Sequence, residues 1–132
     1  ATAVSNWMKF IREGINPFIT GDGSQRRDMA HVSDVVSANI FCMQNIKKIS
    51  GQVFDVGTGE NISLKEMSEI VKELIPDIKF EYRPPRPGEV QNTKADFNKF
   101  NKFGWKAKVD IEAGIRECFI NLKNNLEKEK TQ

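Results

Sequence analysis

The first apolar positions, Val4, Trp7, Met8 and Ile11, recur every three or four residues and stop before Gly14, which predicts an opening amphipathic helix. Residues 17–20 read as a short strand, Gly21-Asp22-Gly23 as a turn, and residues 29–32 as a second short strand or extended piece. Ser33 and Asp34 then offer caps for a helix over VVSANIFCMQNI, whose apolar residues fall on most of its sides and so predict deep burial.

Farther along, Gln52 to Val56 is a β-branched and aromatic run that predicts a buried strand feeding the tight loop Gly57-Thr58-Gly59. Ser63 and Glu66 have the spacing of a capping box, ahead of a helix carrying Leu64, Met67, Ile70, Val71 and Leu74. Pro76-Asp77 ends that helix, and Ile78, Phe80 and Tyr82 alternate with polar residues as in a half-buried strand. The three prolines of RPPRPGE forbid regular structure and stiffen the loop. Asp96 opens a short helix through Phe103 that Gly104 ends, and Asp110 opens a longer one bearing Ile111, Ile115, Cys118, Phe119, Leu122 and Leu126. The tail KNNLEKEKTQ reads as a solvated end. Strands alternating with helices predict an α/β layered domain, with few short strands and about five helices.

Composition narrows the function classes. With 132 residues, 39% hydrophobic and 29% charged, the chain predicts one domain able to bury a core without disulfides or metal. A net charge of +2 with both signs interspersed supplies no field for nucleic acid or a membrane surface, so any anion site must be local. Cys42 and Cys118 lie far apart in apolar stretches, as expected of a reduced, cytoplasmic protein, and neither a signal peptide nor a bilayer-spanning stretch is expected.

The candidate chemistry lies in two arginine loops. TGDGSQRRD places Arg26 and Arg27 just past a glycine turn, and YRPPRPGE holds Arg86 between prolines that restrict its backbone. A guanidinium offers a planar fork of donors that matches the oxygens of a pyrophosphate, which lysine cannot do. From the loops alone, solvated arginines and an anion clamp are both open readings.

Three stretches taken in order, PFITGDGSQRRDMAHVSDVVSAN, GQVFDVGTGENISLKEMSEIVKEL and PPRPGEVQNTKADFNKFNKFGWKAKVDIEAGI, resemble the carboxyl-terminal part of the extended short-chain dehydrogenase/reductases. Within these, the likeness is to nucleotide-sugar epimerases and dehydratases of the UDP-glucose 4-epimerase type, a Rossmann-like family, and it runs from about Val4 to Leu122. By position, the resemblance implies that Arg27 and Arg86 hold the substrate's diphosphate, that Glu89 engages the nucleoside ribose, and that Phe18, Ile19 and Thr20 seat the base; Asp28 matches the family's aspartate beside the first arginine. Relatives often carry an aromatic residue where this chain has Thr20, and aspartate is commoner at the position of Glu89. Arg26 and Arg83 have no family counterpart and read as solvated.

Other motifs carry less. Gly57-Thr58-Gly59 lacks the third glycine of a dinucleotide fingerprint, and the resemblance places it at a late strand of the sheet. The family's reaction needs a tyrosine followed one helical turn later by a lysine, whereas the sole tyrosine, Tyr82, is followed four places on by Arg86 across two prolines. Tyr82 therefore reads as packing or touching substrate. His31, the single histidine, has no partners for a metal site and reads as packed or capping, and the two cysteines and the aromatics read as core.

The sequence thus implies a single substrate-binding domain over residues 1–132, with the NAD-binding half absent, that recognises a UDP-sugar or another nucleotide sugar. NAD is implied for the full-length enzyme and none for this chain alone, which is expected to be inactive by itself and to position the nucleotide diphosphate. The alternatives are a stand-alone non-catalytic module that binds a nucleotide sugar or a protein, and a dehydratase of the same family. Strand 52–56, deprived of neighbours, predicts an open sheet edge and self-association.

Overall fold

Thr2 caps helix α1 (Ala3–Arg12), whose apolar stripe turns Trp7 inward, and Gly14 (φ 69°) turns the chain into β1 (Phe18–Thr20). The computed structural model describes residues 2–130. After the turn come β2 (Arg26–Arg27), α2 (Val32–Gln44), α3 (Ile46–Ile49), β3 (Ile62–Ser63), α4 (Leu64–Leu74), β4 (Glu81–Arg83), α5 (Asn98–Lys102) and α6 (Ile111–Lys130). The architecture is α/β with few short strands and six helices among the described residues.

The strands form two small pairs. β1 and β4 run parallel with Phe18 opposite Glu81, Ile19 opposite Tyr82 and Thr20 opposite Arg83. β2 and β3 run antiparallel, Arg26 opposite Ser63 and Arg27 opposite Ile62. On the other side of β2 the segment after the proline loop runs alongside it, with Arg26 N–H donating to the Gln91 carbonyl at 2.8 Å and Thr93 N–H to the Arg26 carbonyl at 3.1 Å.

Two apolar cores result. The larger joins Trp7 of α1, Ile19 of β1, Met67, Ile70 and Val71 of α4, and Ile115, Phe119 and Leu122 of α6. Trp7 adds a hydrogen bond from its indole N–H to the Phe18 carbonyl at 3.0 Å and an edge contact with Phe80, centroids 4.6 Å apart. The smaller core stacks Phe100 between Phe54 and Trp105, both at 4.6 Å between centroids, against Ala38 of α2. The aromatics thus serve largely as core, as their spacing predicts.

The capping box forms as read: Ser63 Oγ accepts the Glu66 N–H at 3.1 Å and Glu66 Oε2 accepts the Ser63 N–H at 2.8 Å. Asp110 caps α6 through the Ala113 N–H at 2.9 Å. Other expectations change. His31, not Ser33 or Asp34, caps α2, its Nδ1 accepting the Ser33 N–H. Asp34, 2% exposed, instead turns inward and takes the N–H groups of Lys108 and Val109 at 2.9 and 3.0 Å. Of the two readings for residues 29–32 the strand fails, since the pairing goes to Arg26 and Arg27; residues 29–31 are an unpaired piece, extended at His31, and Val32 already begins α2. Tyr82 lies exposed on β4, and only Ile78 and Phe80 of its alternating set reach the core. The tail is mostly exposed from Lys123 to Glu129, as read, and it is helical, since α6 continues to Lys130; residues 131–132 lie outside the described residues.

The larger departures concern residues 52–56 and α2. Residues 52–56 form no strand: no described segment lies beside them to complete a ladder, so the open sheet edge expected there does not exist. α2 is not deeply buried. Val32, Val36, Ile40 and Met43 are 68%, 52%, 48% and 76% exposed, and Val53 beyond them is 80% exposed. An apolar helix of this kind is built for covering on more than one side, and the described residues cover one.

Candidate functional site

The turn after β1 and the proline loop after β4 meet because their parent strands are parallel neighbours, so both chains leave the pair at the same end. Between them and α1 lies a cavity of about 310 Å³ lined by Trp7, Phe10, Phe18, Thr20, Arg27, Asp28, Arg86 and Glu89, among others. Five of the six residues singled out in the sequence therefore share one cavity: Phe18, Thr20, Arg27, Arg86 and Glu89. The sixth, Ile19, is fully buried in the larger core, as strand alternation requires when its neighbours face the cavity.

The polar groups of the cavity are linked. Arg27 Nη1 donates to the Arg26 carbonyl at 2.9 Å, and its Nη2 stands 3.6 Å from Glu89 Oε1. Glu89 Oε2 accepts the Thr20 hydroxyl at 2.9 Å. Thr20 is in turn held by Gln25, whose amide N–H groups donate to the Thr20 carbonyl at 2.8 Å and to its Oγ1 at 3.2 Å. Arg86 makes no ion pair among the described residues; its carbonyl accepts the Glu89 N–H at 3.1 Å in a turn that couples the two residues. Arg86 is exposed, whereas the side chains of Arg27 and Glu89 keep only 26% and 16% of their surface.

Of the other two arginines, Arg26 differs from its sequence reading, while Arg83 stays exposed, as read. Arg26 is tied into the fold, donating to Asn61 Oδ1 at 2.8 Å and the Asn61 carbonyl at 2.9 Å and pairing with Glu66 at 2.9 Å. Arg83 lies over the Phe18 ring, 3.7 Å from its centroid, on the strand that carries Phe18's partner. Residue spacing signalled neither contact, since Asn61 and Phe18 lie 35 and 65 positions away.

Asp28 has a role that its position in the motif conceals. Its carboxylate accepts four hydrogen bonds: from the Thr58 N–H at 3.0 Å, the Thr58 hydroxyl at 2.8 Å, the Gly59 N–H at 3.0 Å and the Ala95 N–H at 3.1 Å. Asp28 thereby occupies the anion position of the Gly57-Thr58-Gly59 turn. Both glycines are required by the protein itself. A Cβ on Gly57 would collide with Ala95 and Asp28, and one on Gly59 (φ 78°) with the Phe97 ring. The turn does not fit the diphosphate of NAD, because its donors and its open side are already taken.

The remaining candidates for chemistry resolve as structure. Burial, followed by the nearby Glu117 charge, pushes the Cys118 thiol above its ordinary value, which disfavours the thiolate. Among the described residues no group of three or more His, Cys, Asp or Glu side chains is arranged to hold a metal, and no helix is long and apolar enough to cross a membrane.

Against known proteins, the profile of the GDP-mannose 4,6-dehydratase family matches residues 2–118. A putative UDP-glucose 4-epimerase of Methanocaldococcus jannaschii is 33% identical over 95% of this chain and 40% of that protein. In structure, the UDP-glucose 4-epimerase of Thermotoga maritima, solved with UDP-glucose, matches 98% of this chain and 40% of that one at 29% identity, with a TM-score of 0.79. MoeE5, solved with UDP-glucuronic acid and NAD, matches at 28% identity and a TM-score of 0.81, over 95% of this chain and 42% of that one. The chain spans about 40% of the length of these relatives. It belongs to the GDP-mannose 4,6-dehydratase family, and it corresponds to the carboxyl-terminal portion of the Rossmann-fold nucleotide-sugar epimerases and dehydratases.

Proposed function

We propose that these 132 residues are the nucleotide-sugar recognition region of an NAD-dependent epimerase of the UDP-sugar 4-epimerase type. The observation that carries this reading is the convergence of Arg27 and Arg86, from segments 59 positions apart, on one cavity that also contains Phe18, Thr20 and Glu89. A diphosphate has oxygens enough for both guanidinium groups, and Arg86 holds no competing carboxylate among the described residues. Phe18 and Thr20 lie at the end of β1, where a base would be seated, and Glu89 supplies an acceptor for a ribose hydroxyl.

MoeE5 is solved with NAD, a cofactor that would supply hydride chemistry to the full-length enzyme. What this chain contributes is orientation. Binding energy gathered on the nucleotide end of a substrate fixes the sugar relative to reacting groups supplied elsewhere. Consistent with that division, the single tyrosine, Tyr82, sits exposed outside the cavity and has no lysine one turn on, so this reading assigns the chain no proton relay.

Titration calorimetry with UDP-glucose tests the reading. Wild-type chain is expected to bind, and Arg27→Ala and Arg86→Ala are each expected to lose about tenfold to a hundredfold in affinity, as removal of a charge-assisted hydrogen-bonding group does. Equal binding by wild type and both variants overturns the clamp.

A further inference from the structure

Arg27 and Glu89 face each other in the cavity without closing. Their nearest atoms are 3.6 Å apart, within Coulombic range but beyond a charge-assisted hydrogen bond, although both side chains are largely buried. The cause lies in the hydroxyl of Thr20. Gln25 is 3% exposed, and its amide must direct nitrogen toward the Thr20 carbonyl, since the flipped amide would set two oxygens 2.8 Å apart. The same nitrogen donates to Thr20 Oγ1 at 3.2 Å. A threonine hydroxyl has one proton to give, and with Gln25 donating to its oxygen that proton goes to Glu89 Oε2 at 2.9 Å. Glu89 is thus pulled toward β1 and held short of Arg27.

We propose that Thr20, backed by Gln25, is a positioning residue that keeps Glu89 from closing on Arg27 and so holds the anion clamp open. This rests on the nucleotide-sugar reading above. With Glu89 restrained, Arg27 Nη2 keeps donors for a phosphate oxygen and Glu89 Oε1 keeps lone pairs for a hydroxyl of the ligand. Released, Glu89 forms a bidentate pair with Arg27 and neutralises the cation that the diphosphate needs.

Thr20→Val removes the hydroxyl with the shape kept, suits a strand, and leaves Gln25 its bond to the Thr20 carbonyl; Thr20→Ser keeps the hydroxyl. With inorganic pyrophosphate as calorimetric probe of the 132-residue chain, Thr20→Val is expected to bind at least about tenfold more weakly and Thr20→Ser within about twofold of wild type. On a Glu89→Gln background, Thr20→Val is expected to change pyrophosphate affinity by less than about twofold, whereas a merely structural role for Thr20 would cost as much there as in wild type. Independently of any ligand, a crystal structure of Thr20→Val is expected to show the Arg27 to Glu89 contact shortened from 3.6 Å to about 2.8 Å. Unchanged pyrophosphate binding with an unchanged contact overturns the positioning role and leaves the nucleotide-sugar reading standing. If wild type binds pyrophosphate but not UDP-glucose while the Thr20→Val contact closes and pyrophosphate affinity drops, the nucleotide-sugar reading falls and the positioning role stands; a wild type that binds neither overturns both.

Discussion

Asp28 sits beside Arg27, faces the same cavity, and yet spends its carboxylate on the protein. Four donors from two distant segments converge on it, three of them backbone N–H groups. Replacing the carboxylate by an amide reverses the polarity of one of its two contact points and leaves buried donors facing a donor. Asp28→Asn is therefore expected to destabilise the fold by about 2–4 kcal/mol, measured by urea denaturation. A loss below about 0.5 kcal/mol, the scale of ordinary surface changes, would show that the turn is held by its glycines alone. The sequence placed Asp28 next to the arginine and stopped there, because its partners lie some 30 and 67 positions away and no local spacing records them. Asp34 is the same lesson. It reads as a helix cap, but burial turns it to the N–H groups of Lys108 and Val109.

At the scale of elements, α4 is the helix that local chemistry specifies most completely. Ser63 and Glu66 satisfy two of its free N-terminal donors reciprocally, and the bonds from the Ser63 N–H and hydroxyl, with Arg26 alongside, hold the Glu66 carboxyl below its usual range. A carboxyl lowered in the folded state stabilises the fold above the unfolded value of about 4.3, and that contribution disappears as pH falls through the lowered folded value. Glu66 is more than half exposed, so the ionic share is well under 1 kcal/mol. Ser63→Ala is expected to cost about 1 kcal/mol near neutral pH, with a smaller gap at about pH 3, by urea denaturation at both. A gap that widens toward acid contradicts this. The periodic helices α1, α4 and α6 were legible for the same reason that they are stable: one apolar face each, with the caps of α4 and α6 at positions that spacing reveals. Residues 52–56 were not, since a strand requires a neighbour and an apolar run does not say whether one is present.

For the whole molecule, the site depends on a coincidence of strands. β1 and β4 lie 61 positions or more apart, yet their parallel pairing brings the loops with Arg27 and Arg86 to one end, and the segment bonded along β2 draws Glu89 over the cavity. The same assembly leaves the apolar side of α2 uncovered. The 132-residue chain is therefore expected to self-associate through this face, and Val36→Glu/Met43→Glu, both at exposed positions, to return it to a monomer without loss of stability. Light scattering decides between these: a monomeric wild type, or an oligomer indifferent to the two charges, removes the face from the account.

By itself the sequence determined the α/β class, the main helices, the caps of α4 and α6, and which two loops carry the arginines, because each of these is written in spacing of a few residues. Only the tertiary structure decided that Arg27 and Arg86 share a cavity, that Arg26 and Asp28 serve the fold, that Ile19 belongs to the core, and that the Thr20 hydroxyl bonds Glu89. Local spacing fixes how the backbone is hydrogen-bonded within a turn or two; which charge meets which across 30 to 70 residues is fixed by strand pairing and by the need of every buried polar group for a partner.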